Sequence, residues 1–244
     1  QYAALALTGR EQRVDRANAT KSAYRRVKPK TVYYLSMEYM LGRALHNNLI
    51  ATGLLDEARA AMASLGLDLA ALLEEEADPG LGSGGLGRLA ACFMESLATL
   101  DLPAIGYGLR YDYGIFRQQF RDGWQHELPD TWLRAGHVWA IHRADLQVPV
   151  PVGGQVERHS GHGRRARWVS GNTFFGVPHD VLIAGFGTPT VAILRLWRAE
   201  SPQEFDLEVF SQGDFLRAVA ARERVAAITK VLYPSDAAEA GRQL

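Results

Sequence analysis

The sequence predicts an α/β protein, and three observations carry the prediction. Helical and strand patterns alternate along the chain. A glycine-rich stretch at 80–87 opens directly onto an apolar helical pattern, and residues 110–200 read as an antiparallel β-rich insertion on the α/β core. At 244 residues the chain is long enough for one large domain or two small ones.

Taken in order, 31–36 is a β-rich apolar run, and 41–50 and 54–62 read as helices, the second rich in alanine. Residues 67–78 are helical and acidic and are broken by Pro79. Over 88–100, Leu89, Phe93, Leu97 and Leu100 fall at helical spacing. Residues 103–109 return to strand. The period-two run at 146–152 carries Pro149 and Pro151, which confine it to a sheet edge or a twisted ribbon. Strands are expected at 168–169, 173–177 and 190–197, with 158–167 as an exposed hairpin loop. A helix from about 214 to 232 stops before Pro234. The chain shows no internal repeat, low-complexity segment or clear linker.

Composition removes several function classes. Lys+Arg and Asp+Glu are equal at 27 each, so no net field draws nucleic acid or an acidic membrane. Cys92 is the single cysteine, which excludes an internal disulfide framework and suits a reducing compartment. No run approaches the ~20 apolar residues of a membrane span, and no secretory h-region is visible. The expected compartment is the cytoplasm.

The segment Gly80-Leu-Gly-Ser-Gly-Gly-Leu-Gly-Arg-Leu-Ala90 packs five glycines into eight residues. Such a run lets backbone N–H groups crowd a ligand, and a helix N-terminus behind it is a ready anion site. A dinucleotide fingerprint needs a strand immediately before the loop, and here a helical pattern precedes it. A P-loop needs Lys-Ser/Thr after Gly87, and the chain has Arg88-Leu89. The alternative is a glycine turn with no ligand. Arg88 weighs slightly against that, because a cation in a helix's first turn is mildly unfavourable unless an anion is held there.

The segment 80–93, continuing Ala90-Ala-Cys-Phe93, closely resembles the active-site glycine loop of the α-glucan phosphorylases, the glycogen, starch and maltodextrin family. Tyr33-Tyr-Leu-Ser-Met-Glu-Tyr-Met-Leu-Gly-Arg43 is similar to that family's first core strand and following turn. Ile105-Gly-Tyr-Gly-Leu-Arg-Tyr-Asp-Tyr-Gly-Ile-Phe116, Leu194-Arg-Leu-Trp197 and Val231-Leu-Tyr-Pro-Ser-Asp236 follow in the family's order. The resemblance implies the Rossmann-like N-terminal half of a two-domain glycosyltransferase of the GT-B type, with 110–200 as its β-rich insertion. It further implies that 1–244 is an incomplete N-terminal domain and that the C-terminal cofactor domain is absent.

The implied reaction cleaves the terminal α-1,4 bond of a glucan with inorganic phosphate, giving α-glucose 1-phosphate with retained configuration. The implied cofactor is pyridoxal 5'-phosphate, whose phosphate relays a proton and whose attachment lysine lies outside this chain, so the chain alone is expected to be inactive. By resemblance, Gly84, Gly85 and Leu86 belong to the loop whose backbone meets phosphate and glucose, a role that suits preorganised N–H donors. Gly85 and Arg88 match cofactor-side positions, Glu38 matches a glutamate lining the sugar pocket, and Asp236 lies on the loop that gates the site. Ser83 stands where many members have asparagine, Ala237 where some carry a polar residue that bonds the sugar, and Met40 where some have a cofactor-contacting tyrosine. The helix near 214–232 resembles the one through which phosphorylase subunits pair, implying a homodimer. The rival reading is a non-catalytic glucan-binding or dimerisation module of the same fold.

Other residues have simpler readings. Glu38 is equally an N-cap or an ion-pair partner of Arg43. His159 and His162 beside Arg164 and Arg165 make a solvated loop, since two histidines without further ligands are a poor zinc site. Trp124, Trp132 and Trp139 are expected in the core, and Arg110, Arg117 and Arg121 on the surface.

Overall fold

The structure is a computed structural model that describes residues 1–158 and 166–233. It opens with a long helix, α1 (Tyr2–Val27), that ends where Lys28 takes a left-handed conformation at φ 48°. Strand β1 (Val32–Leu35) leads through a turn into α2 (Ala44–Thr52), α3 (Leu55–Ser64) and the short α4 (Leu69–Glu74). The glycine loop then enters α5 (Gly84–Thr99), followed by β2 (Ala104–Leu109). Next come the hairpin β3 (Gly114–Arg121) and β4 (Trp124–Asp130), then β5 (Ala140–His142) and β6 (Val148–Val152). A second hairpin pairs β7 (Gln155–Arg158) with β8 (Ala166–Val169). The long strands β9 (Asn172–Ala184) and β10 (Val191–Glu200) precede α6 (Leu207–Ser211) and α7 (Phe215–Ala226).

Six strands form one mixed sheet in the order β1-β2-β10-β9-β5, with β6 also on β9. β1, β2 and β10 are parallel, and β9 runs antiparallel to β10 with Leu194 opposite Val181. Neighbouring strand residues point to opposite faces. Val14 and Ala17 of α1 accordingly pack with Leu182, Val191 and Ile193 on one face. Met94 of α5 joins Leu194 and Leu196 in the main core on the other. The result is helix, sheet, helix, with the carboxyl ends of the three parallel strands side by side. Ligands collect at such an edge in α/β sheets.

Most expected elements are present, and several bounds shift. α5 begins at Gly84 rather than 88, because the N–H of Gly87 already donates to Ser83 O at 3.3 Å, the first bond of the helix. β6 is the edge strand its prolines demand, bonded on β9 only. The helix expected over 214–232 stops at Ala226 and passes through a single 3₁₀ turn, Ala227–Thr229. The backbone there is used otherwise: the carbonyls of Thr229 and Lys230 accept from the N–H groups of Asp112 and Tyr113 at 2.9 Å each. Trp132 and Trp139 are buried as expected, but Trp124 stands 77% exposed on β4. Arg117 and Arg121 are exposed, whereas Arg110 is half-buried with its guanidinium 5.8 Å from the Trp132 ring. A helix, α4, and not a strand precedes the glycine loop, which removes the dinucleotide reading. The His159–His162 stretch lies outside the described residues.

Candidate functional site

The glycine loop is sewn to the turn after β1 by backbone bonds. Tyr39 N donates to Leu81 O at 2.9 Å, Met40 N to Gly87 O at 2.9 Å, and Ile115 N to Gly80 O at 2.8 Å. Beneath it, the buried Tyr39 ring lies against β2, where a Cβ on Gly108 would sit 2.7 Å from the ring. The Tyr39 hydroxyl donates to Tyr34 O at 2.8 Å, and burial raises its pKa well above the ordinary tyrosine value. The adjacent Tyr111, pushed up to about 12 by burial, bonds Met37 O at 3.3 Å. Both tyrosines are therefore kept protonated beneath the loop.

The loop's five glycines have different reasons to be glycine. A Cβ on Gly80 would lie 3.1 Å from Ile115 N, on Gly82 3.0 Å from Met40 N, and on Gly87 3.1 Å from a Glu38 oxygen. Those three are glycine because protein presses on them. Gly84 has φ +51°, a conformation L side chains rarely adopt. At Gly85 a Cβ would meet nothing within 4 Å and φ is not positive. In a helix, glycine costs roughly 0.5–1 kcal/mol relative to alanine, so nothing in the fold accounts for Gly85.

α5 starts at an N-cap, Ser83, whose hydroxyl makes no capping bond. The N–H groups of Gly84, Gly85 and Leu86 have no intrahelical acceptor, and all three residues are exposed. Three amides without a backbone acceptor and the positive end of the α5 dipole thus lie together on exposed residues, an arrangement that suits a phosphate or carboxylate.

Glu38 lies behind this cluster, 2% exposed. Ser36 Oγ bonds both Glu38 O (2.8 Å) and Glu38 N (3.2 Å), which fixes the turn. The carboxylate caps nothing local and does not pair with Arg43, which binds Glu74 instead. Glu38 Oε2 accepts from Ser83 N at 2.8 Å, and Oε1 accepts from the Tyr233 hydroxyl. Arg88 reaches back to Met40 O (3.3 Å) and Leu41 O (3.4 Å) and pairs with Glu95 at 3.5 Å. Protein groups therefore satisfy Arg88, which leaves the amides rather than this cation as the groups that suit an anion.

The far end of the chain arrives at the same place. Lys230 pairs with Asp112 at 3.1 Å, Arg198 joins Asp112 at 3.2 Å, and Val231 bridges Tyr113. This laying-down brings Tyr233 to Glu38. Tyr233 lies inside the Val231–Asp236 motif, but no local pattern links it to a residue 195 positions away. Asp236 and Ala237 lie outside the described residues. Among the described residues no cluster of three or more His, Cys, Asp or Glu could hold a metal ion, and no helix is long and apolar enough to cross a membrane.

The sequence profile of the family described as "Carbohydrate phosphorylase" matches residues 62–244. This chain belongs to the carbohydrate phosphorylase family. It is 45% identical over 245 residues to the glycogen phosphorylase of Synechocystis sp. and 45% identical over 243 residues to the liver form of Homo sapiens. The glycogen phosphorylase of Saccharomyces cerevisiae is 42% identical over 259 residues. Each comparison covers 100% of this chain and 28–29% of the relative, so the chain spans less than a third of the curated relatives' length.

For a phosphorylase the fit of pyridoxal phosphate can be tested on this chain's own groups. The free amides of Gly84–Leu86 suit a phosphate. The aldehyde finds no partner among the chain's four lysines. Lys230 is engaged by Asp112, Lys21 and Lys28 belong to α1 and its cap, and Lys30 precedes β1 at the opposite end of the strand from the loop. The chain thus suits phosphate recognition and not Schiff-base attachment.

Proposed function

We propose that this chain is the N-terminal part of an α-1,4-glucan phosphorylase. The full protein would cleave terminal α-1,4-linked glucose with inorganic phosphate to give α-glucose 1-phosphate. Residues 1–244 would form part of a Rossmann-like domain of a GT-B enzyme, with β9 and β10 of the 110–200 stretch inside its central sheet rather than in an insertion on it, and the cofactor lysine would lie in another domain. The observation that carries the reading is Gly85, a glycine the fold does not need, whose amide is one of three on exposed residues at the start of α5.

In this reading the loop holds phosphate oxygens through the amides of Gly84, Gly85 and Leu86, and the absent Cβ at Gly85 lets the anion approach. As the glycosidic C–O bond breaks, the held phosphate gives its proton to the departing oxygen, its own charge grows, and fixed donors stabilise it without reorganising; one of its oxygens then bonds to C1. Bound pyridoxal phosphate would supply acid–base chemistry through its own phosphate. Glu38 and Arg88 support the loop from behind, and Asp236 would act from the segment after Tyr233. Pairing of two copies is supported by the exposed Phe215 and Leu216 of α7.

The test is Gly85→Ala in the complete protein as its organism expresses it. The expected result is at least a tenfold rise in KM for phosphate, on the order of a lost charged hydrogen bond, with unchanged or higher thermal stability. Gly82→Ala, where a Cβ meets backbone at 3.0 Å, should instead lower stability by about 1–3 kcal/mol. A Gly85→Ala enzyme with wild-type phosphate kinetics would sink the reading.

A further inference from the structure

Ser83 must hold an extended conformation (φ −139°, ψ 160°) and pass directly to Gly84 at φ +51°, yet its own hydroxyl makes no cap. The restraint comes from Glu38, whose Oε2 takes the Ser83 N–H at 2.8 Å. A carboxylate held at one oxygen is a weak clamp, because the terminal torsion of glutamate is broad and roughly two-fold. Two holds at different oxygens define its plane, and the second is the Tyr233 hydroxyl on Oε1.

Resting on the loop reading above, we propose that Tyr233 is a positioning residue for phosphate recognition. It fixes the plane of the Glu38 carboxylate, which fixes Ser83 and hence the direction of the Gly84–Leu86 amides.

Three features support this assignment over a packing role. Tyr233 is 59% exposed, so its ring contributes little to the core. Its backbone approach is set independently, by Thr229 O and Lys230 O accepting from Asp112 N and Tyr113 N. The hydroxyl's pKa is raised first by the bond to Glu38, consistent with a proton kept on the tyrosine and donated. The same oxygen of Glu38 that clamps Ser83 would lie 3.1 Å from a Cβ on Gly87, so rotation of an unheld carboxylate disturbs the first turn of α5 directly.

The test uses Tyr233→Phe in the complete protein. A charged hydrogen bond is worth about tenfold or more, and because this one acts on the amides only through Glu38 and Ser83, about a fivefold rise in KM for inorganic phosphate is expected, with KM for glucan within about twofold of wild type. Amide hydrogen exchange at Ser83 should quicken by about the same factor, since its clamp opens more often. In a Glu38→Ala background the substitution should add nothing, because the effect passes through Glu38. Unchanged phosphate KM, unchanged Ser83 exchange, or an equal rise in the Glu38→Ala background would each overturn the proposal. If Glu38→Ala does not fold, the exchange measurement on Tyr233→Phe still decides. Failure of the loop reading shows elsewhere, as wild-type phosphate kinetics in Gly85→Ala.

Discussion

Arg13 of α1 lies over Trp139 in the interior, its guanidinium carbon 4.4 Å from the ring centroid. The same side chain, 1% exposed, donates from Nη1 to Asn48 Oδ1 at 2.8 Å and to Leu182 O at 2.7 Å. One cation therefore ties α1 to α2, to β9 and to the loop carrying Trp139. Trp139 in turn donates to Glu76, whose carboxylate accepts from Ala44 N (2.9 Å) and Leu45 N (2.8 Å) and so caps α2.

Truncating Arg13 removes a stacked, desolvated cation and leaves two buried acceptors without donors. Each such loss costs about 1–3 kcal/mol, with about 2 kcal/mol for the desolvated ring contact. Arg13→Ala should lower unfolding stability by about 4 kcal/mol, the sum of the low ends of those figures. Arg13→Lys should recover only part of it, because an ammonium lacks the planar fork. Urea midpoints of the two variants against wild type check this, and equal midpoints would contradict it.

The same helix shows where sequence patterning stops. β1 and β2 are legible to within one residue, and β10 to within three, since strands of a central sheet read as apolar runs. α1 is not. Its buried positions, Ala6, Gly9, Arg13, Ala17 and Thr20, recur at helical spacing, but they are small or polar, so no apolar stripe marks them. The candidate site divides the same way. The glycine loop is a contiguous motif and stands out, whereas the reason Gly85 differs from Gly82 depends on what approaches each from elsewhere in the chain. Glu38 looked equally like a local cap or an Arg43 partner, and its actual partners are 45 and 195 residues away.

α6 and α7 carry an aromatic ladder. Phe205, Phe210 and Phe215 stand with ring centroids 5.0 and 4.8 Å apart, and all three remain exposed. Leu216 beside them is 84% exposed. Contiguous apolar surface of this kind marks an association site, and the proposed homodimer would cover it. Leu216→Glu should convert the complete protein from dimer to monomer at micromolar concentration. Thermal stability of the monomer should change by no more than about 0.5 kcal/mol, as for surface substitutions generally. Light scattering reads the outcome, and an unchanged dimer would place the interface elsewhere.

Two imidazoles give the fold a defined acid response. His137 packs edge-on against Trp132 with centroids 5.0 Å apart, and burial, then Arg110 and Arg13, lowers its pKa to about 4. His179 stacks on His142 at 4.9 Å and is lowered to about 4 by burial, then by Arg110, His142 and Arg198. In the unfolded chain each titrates near the ordinary value of about 6.5. Between those limits the unfolded state binds more protons, so stability rises with pH there. The stabilisation is fully present above about pH 6.5 and is lost progressively as pH falls toward about 4. Urea unfolding at pH 7, 5.5 and 4.5 should show that slope. A His137→Asn, His179→Asn double variant, which has no imidazole to protonate at either position, should flatten it. A slope unchanged by the double variant would assign the acid response to the carboxylates instead.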